Sequence, residues 1–301
     1  MFSATDAAFS GFRAGREHFR AMLIWIVVFG AASIALSVAI FPIMGPYLAE
    51  LEQLGAQTNP DPQASLAVLG KLWPFIGPVL IYSFAINAVQ YAAVNRMILR
   101  PSDSAFGYLR LGGDELRQLG VAIGVTLVIF AAYIAGVAGV AVIAVAVAAV
   151  NKGLAALVAI VAGLGVVGFL IVLMVRLSLA SAQTFATGRL NLLGSWRLTK
   201  GRFWPLLGAY LLAFVLVVIV WLAIQALVML AAMLVGGGMS AVGEMQSPDV
   251  SSLQAFYSPA MIVRTAFAII TTPFLTLIVL CPAPEIYRQL VGVTGTDETV
   301  A

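Results

Sequence analysis

The chain is poor in the residues that most protein chemistry requires. One histidine, His18, and one cysteine, Cys281, occur in 301 residues, and only 10 % of the chain is Asp, Glu, Lys or Arg. A metal site draws about four ligands from His, Cys and carboxylates, and these two residues lie in different segments, so no metal centre is expected. A lone cysteine forms no internal disulfide; Cys281 falls in the last apolar run, where it should pack as a small hydrophobe. No Walker A motif is present, which argues against ATP-driven transport by this chain alone. No ionisable residue occupies the central turns of any long apolar run, which disfavours ion-coupled pumps, whose mechanism commonly needs an intramembrane carboxylate. A membrane-embedded lipid enzyme would need a constellation of acid, His or Cys groups that is likewise missing, so neither catalytic residues nor a cofactor is expected.

What is present is apolar. Residues of the hydrophobic class make up 62 % of the chain, and the mean hydropathy is +1.04. Six runs reach or approach the roughly 20 residues needed to cross a bilayer: Met22 to Ile43, Leu72 to Val94, Val121 to Val150, Leu154 to Val175, Pro205 to Val235, and Thr265 to about Ala283. The first follows a tail of about twenty residues and exceeds the apolar core of a signal peptide, so it reads as a retained span. The third and fifth are about 45 Å long as helix, more than a hydrocarbon core of about 30 Å, so they should tilt or project. The fifth has a candidate break at Gly236-Gly237-Gly238.

Thirteen of the sixteen Lys and Arg residues lie in the two tails and in the second and fourth connections; only Lys71, Lys152 and Arg264 lie in the others. Cytoplasmic loops retain cations, so both termini are expected in the cytoplasm. Concentrating the charge on one face makes anionic phospholipid the natural counter-ion. Nucleic acid is not an expected partner, because no soluble module exists to present a groove-reading element.

Three stretches run an aromatic and arginine-bearing segment into an odd-numbered apolar run: SGFRAGREHFRAM from Ser10, GYLRLGGDELRQL from Gly107 and GSWRLTKGRFWPL from Gly194. They align Arg13 with Arg110 and Arg197. The pattern suggests one membrane domain over residues 1–301, built of three repeat units at 1–100, 101–188 and 189–301, each an interfacial helix followed by a hairpin. The expected fold is all-α: a polytopic protein of six transmembrane helices with three amphipathic interfacial helices on the cytoplasmic side. In the first of these, Phe9, Phe12 and Phe19 share a face beside Arg13, Arg16 and Arg20; a comparable patch of Leu192, Leu193 and Trp196 is flanked by Arg189, Arg197 and Lys200. Arg13, Arg16, Arg20, Arg110, Arg197, Lys200, Arg202 and Trp196 are the candidate contacts for lipid headgroups, a membrane-protein partner or a second copy; plain juxtamembrane anchoring is the alternative reading.

A second candidate site follows the second span, where Ser83, Asn87, Tyr91 and Asn95 recur every four residues with Gln90 beside them. The inner end of the fourth span, with Arg176, Ser181, Gln183 and Thr184, is the expected partner. Such a pairing would line a cavity or hold helices together by hydrogen bonds. Gly163 to Gly168 matches G-x-G-x-x-G, but inside a span it lacks the strand and turn of a dinucleotide site and suggests close helix packing, as do Gly120 and Gly124. Leu48, Leu51 and Leu54 suggest a short surface helix before the turn signal at Asn59 to Pro62, Asn151 to Gly153 a tight turn, and Gly236 to Ser258 an irregular segment. Pro74 and Pro78 should kink the second span and Pro273 the sixth, which Pro282 and Pro284 should end.

Arg176 to Ala180, Gly194 to Trp204, Leu207-Gly208 and the closing Ile286 to Leu290 resemble the YciC-like bacterial inner-membrane proteins and the membrane domain beside some glycerophosphodiester phosphodiesterases. The resemblance implies a bacterial inner-membrane location and a six-helix architecture. The phosphodiesterase barrel is absent, so the resemblance carries over no catalytic residue.

Overall fold

A computed structural model describes residues 3–55, 61–235, 237–246, 248–249, 252 and 256–292. Among these, all regular structure is helical: α1 Ala4–Ala8, α2 Ser10–Glu17, α3 Phe19–Gly55, α4 Pro62–Leu99, a 3-10 turn Ala105–Tyr108, α5 Gly113–Ala148, α6 Lys152–Leu177, α7 Ala180–Thr187, α8 Leu192–Thr199, α9 Phe203–Val235, α10 Met239–Gln246, α11 Pro259–Leu280 and α12 Pro282–Val291. Six stretches, carried by α3, α4, α5, α6, α9 and α11, are long and apolar enough to cross a membrane. Their side chains mostly point outward: Ile81 is 72 %, Val145 72 % and Leu234 79 % exposed. So much contiguous apolar surface is stable only with lipid around it.

Local chemistry explains where the helices begin and end. Asp61 accepts from Gln63 N–H at 2.9 Å and Pro62 takes the first helical position, where a missing N–H costs nothing; α4 therefore starts ten residues before the apolar run at Leu72. Asn151 caps α6 by accepting from Leu154 N–H at 3.0 Å, so Lys152 and Gly153 of the expected turn already belong to α6 and the tight turn lies at 149–151 instead. Gly237 and Gly238 follow the end of α9 at φ 89° and 98°, a backbone that favours glycine, so the long fifth run does break there.

The structure corrects several local expectations. Leu48, Leu51 and Leu54 belong to no separate surface helix, because α3 continues through Pro42 and Pro46 to Gly55. At its far end Glu50 pairs with Lys71 of α4 at 3.0 Å, a contact available only if both helices extend past their apolar runs. Asn59 and Pro60 lie outside the described residues. Part of the segment from Gly236 to Ser258 is ordered as α10, whose Met245 carbonyl accepts from Arg264 Nη1 at 2.8 Å. Pro282 does not only end the sixth span; it opens α12.

Chain contacts divide the protein into two compact units. The first comprises residues 1–10, 86–213 and 280–301, and the second residues 11–85 and 214–279, so the two interleave along the chain. In the first unit Ala7, Val175, Leu179, Leu206, Ala209 and Ile286 form a core, and Cys281 is fully buried. Short residues such as Ala7 and Ala209 let backbones approach, which is how helices associate without a hydrophobic driving force. In the second, Gly11 packs so tightly on α11 that a Cβ would lie 2.5 Å from Ile278 Cα, and Val228, Ala232, Ala241, Met245, Ala260 and Met261 form the core.

The glycines of the expected packing motifs diverge. Side chains of Leu190 and Leu192 sit where a Cβ on Gly120 or Gly124 would go, at 2.9 and 2.7 Å, whereas among the described residues, the adjoining turns of α6 aside, nothing lies within 4 Å of a Cβ built on Gly163, Gly165 or Gly168. The G-x-G-x-x-G match is thus an outward-facing stretch of α6, not a packing seam within the described chain.

Candidate functional site

The first unit holds two cation-rich connections, and they are built differently. Arg96 stands in the last turn of α4 and Arg100 directly follows its last residue, four positions on. Arg96 is 2 % exposed. It donates to the Tyr108 carbonyl at 2.5 Å and to Glu115 at 2.8 Å, with Asp114 at 3.5 Å and Asp103 at 3.7 Å. Arg100 pairs with Asp114 at 3.6 Å and lies 4.7 Å above the Phe185 ring. Arg117 pairs with Asp114 at 2.6 Å, and Arg110 forms a bidentate pair with Asp103. Four arginines therefore face three carboxylates within one connection.

That network shapes the backbone. Phe106, Gly107 and Tyr108 have φ of 50°, 65° and 66°, a left-handed conformation costly for the two non-glycine residues. Arg96 holds the turn through the Tyr108 carbonyl, and Tyr108 OH donates to the Pro101 carbonyl at 3.2 Å. Asp114 and Glu115 stand in the first turn of α5, where carboxylates also complement the helix dipole.

Next to it lies a buried polar relay. Asn95 Nδ2 donates to Ser181 Oγ at 2.8 Å, Ser181 Oγ to Gln118 Oε1 at 2.6 Å, and Gln118 Nε2 to the Ser181 carbonyl at 3.1 Å. The structure thus joins the end of the polar stripe to the region after the fourth span, as the spacing suggested, and adds Gln118 of α5. Gln90 and Tyr91 are half-buried, while Asn87 is exposed on α4.

The connection from α6 to α9 is the second. Ser195 Oγ donates to the Arg176 carbonyl at 2.7 Å and accepts from Leu179 N–H at 3.1 Å, which ties α8 to the end of α6. α7 ends at Gly188, φ 64°, and Asn191 caps α8 by accepting from Gly194 N–H at 2.8 Å. Arg176 stacks 5.7 Å from the Trp196 ring. The Gln183 side chain occupies the space a Cβ on Gly194 would fill. Both Arg176 Nη1 and Gln183 Oε1 are buried with no hydrogen-bond partner.

No Asp or Glu occurs between Glu115 and Glu244. Arg176, Arg189, Arg197, Lys200 and Arg202 accordingly have no carboxylate in their own segment, and no ion pair joins them to any described residue. Beside them Leu193 and Trp204 are each 77 % exposed, and Leu190 and Trp196 are exposed as well.

In the second unit, α2 turns Gly11, Ala14 and Gly15 inward and leaves Phe12, Arg13 and Arg16 exposed, with Phe19 and Arg20 exposed at the start of α3. His18 is partly covered, and burial pushes its imidazole below the usual histidine range, partly opposed by neighbouring Glu17. The three aligned arginines therefore stand in different settings: Arg13 on helix α2, Arg110 in a non-helical turn clamped to Asp103, and Arg197 on helix α8 without a carboxylate.

Sequence reasoning passed over Arg96 as one cation among thirteen and left out Asp103, Asp114, Glu115 and Gln118. The available signal was the acid content of 103–115, which a count of Lys and Arg ignores. No described group of three His, Cys, Asp or Glu side chains could hold a metal ion. No family model matches the chain, and neither a curated protein nor a solved structure does so.

Proposed function

We propose that this chain is a non-catalytic, multi-pass protein of the bacterial inner membrane, with both termini cytoplasmic, that engages anionic phospholipid through the connection between α6 and α9. The observation that carries the reading is the row Arg176, Arg189, Arg197, Lys200 and Arg202 without a single acidic neighbour in sequence, interleaved with exposed Leu190, Leu193, Trp196 and Trp204. Cations beside an anionic surface are worth about 1 kcal/mol each, and large apolar side chains between them seat the segment at the acyl boundary. α2 with Arg13, Arg16 and Arg20 is a second interfacial element in this reading. The three odd-numbered spans, each preceded by an arginine-bearing stretch, are consistent with repeated helix-hairpin units. The inner-membrane placement rests on the resemblance in Arg176 to Ala180 and Gly194 to Trp204.

Passive transport through a cavity between the second and fourth spans draws less support, because Asn95, Ser181 and Gln118 spend their polar groups on one another. The test is lipid selection. In mixed vesicles of phosphatidylcholine and phosphatidylglycerol, the triple change Arg197→Gln, Lys200→Gln and Arg202→Gln should lower co-purified phosphatidylglycerol, counted by native mass spectrometry, without reducing helical content. An unchanged count would refute the reading.

A further inference from the structure

We infer that the last turn of α6 and the first turns of α8 form a seat for the phosphate of one phospholipid, with Arg176 as its cation, Trp196 as its wall and Gln183 as an acceptor for a headgroup hydroxyl. The inference rests on the lipid-binding reading above and deepens it. Arg176 differs from the other cations of its connection, which are exposed: it is half-buried, and its Nη1 is wholly covered with no hydrogen-bond partner. A covered guanidinium donor without a partner is unfavourable unless an anion completes it. The chain supplies none, since no described carboxylate pairs with Arg176. Arg96 shows the opposite case in the same unit, with Glu115 in contact at 2.8 Å.

The seat is held in place. The Trp196 ring lies 5.7 Å from the Arg176 guanidinium and fixes its plane. Ser195, one residue before, binds the Arg176 carbonyl, so the backbone that carries the cation and the backbone that carries the wall are tied together. Gly194, one residue earlier again, is the only residue type that leaves room for Gln183. Three consecutive residues of α8 thus gather two side chains from the α6–α7 segment, each with one buried, unpartnered polar atom of opposite character. Arg176 Nη1 is a donor and Gln183 Oε1 an acceptor. A phosphodiester that also carries a hydroxyl, as phosphatidylglycerol does, satisfies both.

The surroundings select a lipid over a soluble phosphate. Ile171 and Met174, in the two turns of α6 before Arg176, are exposed apolar side chains, as is Leu193 of α8. Acyl chains leaving the seat would cover them.

The experiment uses the full chain in detergent, stripped of loose lipid and analysed by native mass spectrometry against added phosphatidylglycerol. The wild type should retain one phosphatidylglycerol per chain. Arg176→Gln should lose it, and Arg176→Lys, which keeps the charge but not the planar stack, should hold it about tenfold more weakly. The Arg197, Lys200 and Arg202 triple variant should keep the single lipid that survives stripping, while losing the loosely held phosphatidylglycerol that co-purifies from mixed vesicles before stripping. Retention by Arg176→Gln alongside lost selectivity in the triple variant would overturn the seat and leave the general reading standing; no selectivity in the wild type would overturn both. Displacement of the lipid by glycerol phosphate at equal concentration would also overturn the lipid assignment. If Arg176→Gln does not fold, Trp196→Leu replaces it, and full retention by that variant counts against the seat.

Discussion

The connection between α4 and α5 and the one between α6 and α9 carry four and five cations, yet they do different work. In the first, Arg96, Arg100, Arg110 and Arg117 are consumed by Asp103, Asp114 and Glu115, and what they accomplish is to fold a left-handed turn onto the ends of two helices. In the second no acid is near in sequence, and no described carboxylate pairs with the cations. A count of Lys and Arg orients a membrane protein because acids contribute little to that choice. The same count does not tell a structural cation from an available one; the acids decide that.

The comparison can be broken most forcefully at Arg96. Arg96→Gln leaves Glu115, itself buried at 6 % exposed, without its partner. Removing one side of a buried pair costs about 3–5 kcal/mol. The thermal transition of the purified protein should fall steeply, and the double change with Glu115→Gln should recover part of it. If Arg96→Gln melts like the wild type, the first connection is not structural. A smaller effect is expected at Arg110, because its pair with Asp103 is more than a third exposed on both sides or nearly so; Arg110→Gln should cost no more than about 1 kcal/mol. It should also leave bound anionic lipid unchanged, unlike the substitutions at Arg197, Lys200 and Arg202. Loss of lipid from Arg110→Gln would erase the distinction between the two connections.

The smallest expected effect is that of pH. Neither connection contains a histidine. His18 lies outside them, and burial lowers its pKa in the folded state. The sign follows: the folded protein resists protonation, so stability is unaltered above the ordinary value of about 6.5 and declines as pH falls below it. His18→Gln should flatten that slope in a melting series between pH 5 and 8. A slope that survives the substitution would assign the titration to another group.

The spans were legible because hydropathy is a one-dimensional property: six long apolar runs admit little but helices in a bilayer, where every backbone group must be satisfied within the segment. The turn at Asn151 and the break after Val235 were legible for a similar reason, being written in adjacent Asn and Gly residues. The pairing of Asn95 with Ser181, 86 residues away, was legible only as a stripe with a suggested partner. The reach of α3 through two prolines was not legible, nor was the order in α10, since both depend on contacts from other helices, such as Lys71 to Glu50 and Arg264 to Met245. The alignment of Arg13, Arg110 and Arg197 concealed a difference, because neighbours in space and not in sequence set what each arginine does.

By itself the sequence determined the solvent of this protein, the number of its spans and the positions of its cations, since hydrophobicity and charge are carried by residues whatever their neighbours. Tertiary structure decided which of those cations are spent and which remain. Burial of a guanidinium and the arrival of a carboxylate from another helix are properties of packing, so Arg96 became a structural clamp while Arg176, four residues from Ala180 in the same unit's next connection, kept a donor unpaired.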